Sequence, residues 1–304
     1  MDLSVVIPIR NQSLSLDLTL YWFDKILDAQ SEIVLVDDGS EENIKEVADR
    51  YPNLNLKYIR QEPGGRAAAR NAGIRHAEGK RVLFNDGDRF PAGSDLKQHQ
   101  HSDGVLTGMH REFYFMRPEK KADDLKHHFE KMQRMARAIP FPSLVRDHLF
   151  DADGHCVSNM GWMGFLTGNV SAPRDALIEA GGFDNGFVSW GVEHFEFGYR
   201  LWKLGIPFAQ SDSAVNYHIA HGREAGFYRK NMQESTAYFY EKYHDPHLKL
   251  FAEFLFGNIS LQELEQHAEK TCFPEAPWLS RTDEPVFFKG LQSDILAAPG
   301  SETK

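Results

Sequence analysis

An apolar run that ends in two carboxylates constrains the fold of this chain most strongly. Residues 82–84 are Val-Leu-Phe, and Asp86 and Asp88 follow them one residue apart. Such a run predicts a buried strand that delivers its carboxylates to the carboxyl edge of an open α/β sheet, where these sheets bind ligands. Carboxylates suit Mg²⁺ or Mn²⁺, whose remaining ligands are often phosphate oxygens. The stretch therefore predicts a metal-bound phosphate or diphosphate, although a plain surface turn rich in Asn, Asp and Gly has the same composition.

The segments before this strand alternate between apolar, β-branched runs and runs with helical periodicity. The predicted strands are 3–9, 33–36 and 54–59, and the predicted helices are 14–27, 41–51 and 67–77. This series predicts an α/β fold with a doubly wound sheet, in which the loops that carry Pro8, Asp38 and Asp86 converge. Neither a dinucleotide-binding Gly-x-Gly-x-x-Gly nor a P-loop is present. A nucleotide would therefore be held by side chains and a metal.

The second half of the chain predicts fewer elements. A helix is expected after Trp190, with Glu193, Glu196 and Arg200 on one face. That pattern is also typical of an ordinary helix start, with acidic residues near the dipole and a Glu196–Arg200 pair four residues apart. The other predicted elements are strands at 165–171 and 215–221, a helix at 173–180 and mostly helical structure at 223–270.

Histidines are frequent, and two of them end the last predicted strand. Either His218 or His221 can supply a nitrogen ligand to a Mn²⁺ site that already holds carboxylates, although a lone histidine there is more often structural. Four others lack a convincing spacing to further ligands and are expected at the surface: His99, His101, His127 and His128.

Composition excludes several classes of protein. The formal net charge of −10 argues against a nucleic-acid partner that needs a basic surface. The two cysteines, Cys156 and Cys272, predict no disulfide framework or zinc site and fit a reducing compartment. The first residues predict a strand rather than a signal peptide, and no apolar stretch reaches the roughly 20 residues of a membrane span. We expect a cytoplasmic protein, with contact to the inner face of the membrane and homo-oligomer formation left open, and a frayed end at 297–304.

Taken together, the motifs resemble the nucleotide-sugar-dependent glycosyltransferases of the GT-A fold, family 2. The matching stretches are 5–11, 34–40, 69–74 and 85–88, in the order and spacing of that family. Residues 182–201 are similar to the corresponding part of bacterial chondroitin polymerase domains and polypeptide N-acetylgalactosaminyltransferases. The resemblance covers about residues 3–90 and 161–222, and it implies a Rossmann-like, mixed sheet.

The resemblance also implies a UDP-sugar donor and assigns roles to individual residues. The nucleotide would lie near Pro8, Ile9, Arg10, Asn11, Asp38, Arg66 and Asp86. The transferred sugar or the acceptor would contact Trp190, Gly191 and Glu193. Mn²⁺ or Mg²⁺ would be held by Asp88 and His218, with Asp86 beside it. His218 is preferred to His221 because its distance in sequence from Glu193 matches the metal-binding histidine of those relatives.

One departure from the family bears on the mechanism. Inverting relatives carry Glu-Asp at the start of the helix, where the Asp acts as general base, whereas this chain has Glu193 and His194. A histidine can do this work because its ordinary pKa of about 6.5 suits proton transfer at neutral pH. Retaining relatives have an amide there and need no such base, so inversion is the preferred interpretation. Val192 also replaces the usual second glycine, which would reshape the sugar pocket.

The expected protein is a metal-dependent glycosyltransferase of polysaccharide or similar biosynthesis, which moves a hexose or N-acetylhexosamine to a hydroxyl of a glycan, glycolipid or similar acceptor. The alternative is a catalytically impaired, nucleotide-sugar-binding subunit of a polysaccharide synthesis complex. We expect a catalytic domain at 1–222, with a nucleotide-binding half at 1–94 and an acceptor and metal half at 161–222. A helical C-terminal extension is expected at 223–304.

Overall fold

The computed structural model describes residues 1–116, 120–222, 224 and 226–268. In this part of the chain a single mixed sheet runs through the molecule. Its first layer of parallel strands consists of β1 (Leu3–Ile9), β2 (Ser31–Asp38), β3 (Leu56–Gln61) and β4 (Arg81–Phe84). The helices that join them are α1 (Ser13–Ile26), α2 (Ile44–Ala48) and α3 (Gly65–His76). This doubly wound arrangement confirms the predicted fold class.

The remaining strands extend the sheet beyond β4. They are β5 (Arg89–Phe90), β6 (Val105–Phe113), β7 (Arg137–Ala138), β8 (Val170–Pro173) and β9 (Phe208–Ile219). The spatial order is β3-β2-β1-β4-β8-β6-β9-β5, with β7 paired to β6. Because β8 runs antiparallel to both β4 and β6, the sheet is mixed, and β6 and β9 bring their ends to the edge where β1, β2 and β4 end.

Helices pack on the sheet, and the last three described helices form the part of the chain that follows the final strand. They are α4 (Lys97–His101), α5 (Ala122–Met132), α6 (Pro140–Leu149), α7 (Arg174–Glu179), α8 (Glu193–Lys203), α9 (Phe227–Tyr243), α10 (Pro246–Leu255) and α11 (Leu261–His267). Phe239 of α9 and Phe251 of α10 pack in the same apolar cluster as Phe195 of α8. The described part of the extension is therefore anchored on the helix that begins at Glu193. The predicted boundary after residue 222 stays a prediction.

Three local predictions were wrong. The predicted strand at 165–171 is a turn as far as Asn169, and only Val170–Pro173 is a strand. The reason is that the Asn169 side chain donates hydrogen bonds to the backbone oxygens of Met109 and Ala214, 3.0 and 2.8 Å away, and so bridges β6 and β9. The helix expected at 41–51 is regular only at Ile44–Ala48, because Asn43 caps it.

His99 is the third correction, because it is fully buried rather than at the surface. Its Nε2 donates to Asn169 Oδ1 at 3.1 Å and its Nδ1 accepts from the Ser171 hydroxyl at 3.0 Å. Burial lowers the pKa of His99 to about 4, so the ring is neutral. This histidine belongs to the frame of the sheet.

Two expectations cannot be compared with the structure. Cys272 and the predicted frayed end at 297–304 lie outside the described residues. Within the described part of the chain, no helix is both long enough and apolar enough to span a bilayer.

Candidate active site

A cavity of about 830 Å³ opens at the edge where β1, β2 and β4 end. Parallel strands of open α/β sheets place their ligand sites at this edge. The structure brings most of the predicted site residues together there. Those that line the cavity are Pro8, Ile9, Arg10, Asp38, Arg66, Asp86, Asp88, Trp190, Gly191, Glu193, His194 and His218.

Asn11 is the predicted site residue that is not part of this lining. It adopts a left-handed backbone conformation with φ of 60°. Its backbone N–H donates to the Ser40 hydroxyl at 2.7 Å, and its side-chain oxygen accepts from the backbone of Glu41 at 2.9 Å. The residue therefore ties the loop after β1 to the loop after β2.

A carboxylate and two imidazoles converge at one side of the cavity. The Nε2 atoms of His218 and His221 each lie 3.4 Å from Asp88 Oδ2. His218 Nδ1 donates to Glu112 Oε1 at 2.5 Å, and the Tyr114 hydroxyl donates to the other oxygen of Glu112 at 2.5 Å. Histidines that bind metals commonly donate their second ring N–H to a carboxylate in this way, which fixes the tautomer and leaves the other nitrogen free.

Charges at this cluster are strongly coupled. Burial alone would raise the pKa of Asp88, but the neighbouring His218 and His221 hold it well below its usual value. Burial alone would lower the pKa of His218, but Asp88 and Glu112 outweigh it and raise that pKa to about 9. One oxygen and two nitrogen donors from Asp88, His218 and His221 fit a divalent cation such as Mn²⁺. The structure brings His221 as close to Asp88 as His218, so geometry does not distinguish the two.

Asp86 points away from this cluster. Its Oδ1 accepts from Arg70 Nη2 at 3.1 Å, and its Oδ2 lies 3.7 Å from Arg89 Nε. The same guanidinium of Arg70 donates through Nη1 to Glu193 Oε1 at 3.0 Å. Arg70 is almost fully buried, so it joins the loop after β4 to the start of α8 through a buried ionic bridge.

Glu193 has one bonded and one unbonded carboxylate oxygen. Oε1 accepts from Arg70, whereas the buried Oε2 has no hydrogen-bond partner among the described residues and lies 3.9 Å from His194 Nδ1. Burial would raise the pKa of Glu193, but His194, Arg70 and Arg66 outweigh it and hold that pKa far below its usual value. Glu193 is therefore ionised and directed at His194.

The backbone before α8 is unusual. Gly191 has φ of 90°, and a Cβ there would lie 2.7 Å from Met232 Sδ. Val192 has φ of 68°, a region that costs a β-branched residue energy and favours glycine. This conformation is the one that a glycine at position 192 would adopt without strain. It turns the chain so that Trp190 and His194 both face the cavity.

Asp38 lines the opposite side of the cavity, but its oxygens are bonded within the protein. It accepts from the backbone N–H groups of Gly64 and Gly65, at 2.7 and 2.8 Å, and from Gln61 Nε2 at 2.8 Å. Gly64 and Gly65 lie at the start of α3, where a carboxylate is stabilised by the helix dipole, and Gln61 ends β3. Asp38 thus fixes the start of α3, whose first turn carries Arg66.

The titratable residues of this cavity that sequence reasoning missed include Arg89, His110 and Glu112. The signal that could have found two of them is the polar alternation in β6, because residues 110 and 112 point to one face of a strand. Arg70 was noted only as part of a helix. Glu112 meets His218 across 106 positions of sequence and Arg70 meets Glu193 across 123, so no local motif identifies these contacts.

Comparisons with known proteins agree with this geometry. Residues 4–102 match the family described as "Glycosyl transferase family 2", and residues 148–222 match "N-terminal domain of galactosyltransferase". The chain is 29% identical over 272 residues to the chondroitin synthase of Escherichia coli, covering 79% of this chain and 39% of that protein. It is 33% identical over 237 residues to the validoxylamine A glucosyltransferase of Streptomyces hygroscopicus subsp. jinggangensis (strain 5008), covering 73% of this chain and 56% of that protein.

Solved structures share the fold. GalNAc-T7 with UDP, GalNAc and Mn²⁺ superimposes with a TM-score of 0.57 at 18% sequence identity, covering 84% of this chain and 50% of the other. The chain thus spans less than two thirds of the length of these relatives. The matches confirm the predicted resemblance to GT-A glycosyltransferases of family 2.

Proposed function

We propose that this chain, whose residues 4–102 match family 2 glycosyltransferases, transfers a hexose or N-acetylhexosamine from a UDP-sugar to an acceptor hydroxyl in a metal-dependent, inverting reaction. The observation that carries the proposal is the cluster of Asp88, His218 and His221 on one side of a cavity whose other side holds Glu193 and His194. Metal ligands and a base at two sides of one cavity are what glycosyl transfer from a diphosphate requires.

Asp88, His218 and His221 would hold Mn²⁺ or Mg²⁺. A divalent cation bound there would neutralise the negative charge that develops on the departing UDP. Glu112 keeps the Nδ1 proton of His218 in place, so that Nε2 is directed at Asp88. The mixed oxygen and nitrogen donor set favours Mn²⁺ over Mg²⁺.

His194 is the proposed general base. Its Nδ1 lies 3.9 Å from the ionised Glu193, whose negative charge favours the proton on that nitrogen, so Nε2 can accept the proton of the acceptor hydroxyl. The acceptor oxygen then forms a bond to the anomeric carbon as the bond from that carbon to the UDP oxygen breaks. Glu193 stabilises the imidazolium that results, and displacement from the opposite face inverts the anomeric configuration.

The donor assignment is supported by the relatives. One similar structure contains UDP, GalNAc and Mn²⁺, and one relative is named as a glucosyltransferase. In this chain the nucleotide would lie against Pro8, Ile9 and Arg10, with Asp86 near the ribose. Arg66 lies in the first turn of α3, whose start Asp38 fixes, and lines the same cavity. The acceptor would be a glycan, a glycolipid or a similar molecule.

The test is UDP release from a panel of UDP-sugars with Mn²⁺ or Mg²⁺, with and without cell-derived acceptors. We expect metal-dependent turnover that His194→Ala reduces by about 10²- to 10⁴-fold, the usual contribution of a general base. UDP affinity should not change in that variant. Tight binding of a UDP-sugar without turnover under any condition would instead support the nucleotide-sugar-binding subunit.

A further inference from the structure

Two buried histidines of the sheet have opposite environments. His99 is fully buried and both of its ring nitrogens have partners within the protein, Asn169 and Ser171. His110, on β6, is 3% exposed, and its Nε2 is buried without a hydrogen-bond partner among the described residues. Unlike His99, it lines the large cavity. Native proteins rarely leave a buried polar atom unpaired, so each exception requires an explanation.

Arg89 lines the same cavity and shows the same feature. Its Nε and Nη1 atoms are buried and form no hydrogen bond within the described chain. The nearest carboxylate oxygen, Oδ2 of Asp86, is 3.7 Å from Nε, which is too far for a hydrogen bond. A Cβ at Gly168 would lie 2.5 Å from Nε. The glycine therefore leaves the space that the Arg89 guanidinium fills.

His110 and Arg89 line the cavity that also holds both parts of the proposed machinery. Burial is the main cause that holds the pKa of His110 well below its usual value, and the positive charges of Arg89, His194 and His218 act in the same direction. The imidazole is therefore neutral at physiological pH and offers a hydrogen bond rather than a charge. Arg89 offers donors only. The pair thus adds polar groups to the cavity that holds the proposed base and the proposed metal ligands.

We propose that His110 and Arg89 form the floor of the donor-sugar subsite, where they hydrogen-bond an oxygen substituent of the transferred sugar and so select which sugar is transferred. This inference rests on the proposed function and deepens it. The fitting ligand is a sugar ring with a hydroxyl or acyl oxygen at that position, and a deoxygenated ring leaves both groups unpaired. Sites built to bind a substrate hydroxyl reject analogues that lack it far more strongly than apolar pockets reject a change of size.

The experiment compares His110→Phe with wild type. Equilibrium binding of UDP, the KM and kcat of UDP release from the accepted UDP-sugar and its singly deoxygenated analogues, and the midpoint of thermal unfolding are measured. We expect unchanged UDP affinity and no loss of thermal stability, because His110 Nε2 has no protein partner to lose. The kcat/KM for the UDP-sugar falls by about 10- to 100-fold, whereas that for one deoxygenated analogue changes little.

Two further variants separate a ligand contact from a structural role. His110→Gln keeps a hydrogen-bonding group and should recover part of the lost selectivity. His99→Phe is the matched control, since it removes a buried histidine that is bonded within the sheet; it should lower thermal stability and leave the preference for the oxygenated sugar intact.

The outcomes are distinguishable. If wild-type protein turns over a UDP-sugar and His110→Phe keeps the same ratio of kcat/KM between that sugar and every deoxygenated analogue, the inference is wrong and the proposed function stands. If His110→Phe is as destabilising as His99→Phe with unchanged selectivity, His110 is structural and the inference is also wrong. If wild-type protein neither binds UDP nor releases it, the proposed function fails and this inference with it.

Discussion

The two sides of the cavity differ in how their buried polar atoms are bonded. On the proposed nucleotide side, Asp37 accepts hydrogen bonds from Ser40, Tyr58 and Arg60. Asp38 accepts two from the start of α3 and one from the end of β3. The inner side of the cavity is lined by Arg70, Arg89, His110 and Glu193. Several buried side-chain atoms of these residues have no hydrogen-bond partner within the described residues. These atoms are Glu193 Oε2, Arg70 Nε, Arg89 Nε and Nη1, and His110 Nε2.

This difference separates two uses of a buried polar group. A group whose partners are all within the protein rigidifies the backbone around it, as Asp38 does for the start of α3, which carries Arg66. A group left without a partner beside a cavity is stable only if a ligand or water supplies the missing bond. We therefore interpret the nucleotide side as a prebuilt frame and the inner side as the surface that is completed by substrate.

Arg70 joins the two sides, so its replacement should have the largest effect. Arg70→Met leaves Asp86 and Glu193 without their shared cation, and we expect the free energy of unfolding to fall by about 3–5 kcal/mol. Denaturant unfolding measures this change. Arg75→Met, at an exposed position on the same helix, is the control and should change stability by less than about 0.5 kcal/mol. Equal effects of the two substitutions would show that the bridge does not hold the two sides together.

Asp88 tests the metal-binding edge of the inner side. Asp88→Asn should lower kcat/KM for metal-dependent UDP release by about 10²- to 10³-fold, because cation stabilisation of a leaving phosphate is worth several kcal/mol. Steady-state kinetics over a range of Mn²⁺ concentrations measures the effect. Asp49→Asn removes an exposed carboxylate elsewhere and should have no effect. Unchanged Mn²⁺ dependence in Asp88→Asn would contradict the assignment of this residue as a metal ligand.

Replacement of Asp38 tests whether the proposed nucleotide side is a prebuilt frame. Asp38→Asn places an amide opposite the N–H groups of Gly64 and Gly65, and we expect the free energy of unfolding to fall by about 1–3 kcal/mol. Glu62→Gln, at an exposed position in the same loop, is the control. Thermal unfolding and UDP binding should be measured together. A tenfold loss of UDP affinity with unchanged unfolding would place Asp38 among the ligand-facing groups and break the comparison.

Glu265 is not part of the cavity lining. It tests whether every buried oxygen without a hydrogen-bond partner is a ligand-binding atom. It accepts a hydrogen bond from Ser158, but its Oε2 has no partner among the described residues, and burial raises its pKa to about 7. Because the folded pKa lies above the usual 4.5, this group contributes stability below pH 4.5 that is lost as pH rises through about 7.

Glu265→Gln should therefore raise the free energy of unfolding by about 1–2 kcal/mol at pH 8 and change it little at pH 4.5. Denaturant unfolding at both pH values measures this, with the exposed Glu253→Gln on α10 as control. A gain of the same size at both pH values would mean that the carboxylate does not titrate as its burial requires. UDP-sugar turnover should not respond, which would distinguish this oxygen from those of the inner side.

Local pattern was sufficient for the first half of the sheet. β1 and β2 can be recognised because their β-branched runs are buried on both faces and need no partner information. The turn at 167–169 was mistaken for strand because its apolar neighbours have the same composition, whereas the bridging bonds of Asn169 come from β6 and β9. His99 was misplaced for the same reason, since its burial depends on β8.

By itself the sequence determined the fold class, the positions of Asp38, Asp86 and Asp88 at strand ends, and the acidic start of α8. These follow from periodicity and from residue chemistry over a few neighbours. Only the tertiary structure decided that Glu112 orients His218 and that Arg70 bridges Asp86 and Glu193. It also decided that Nε2 of His110 has no hydrogen-bond partner among the described residues, whereas both ring nitrogens of His99 have one. The physical reason is that hydrogen-bond satisfaction is a property of space: Arg70 and Glu193 meet across 123 positions of sequence, and no local pattern encodes that distance.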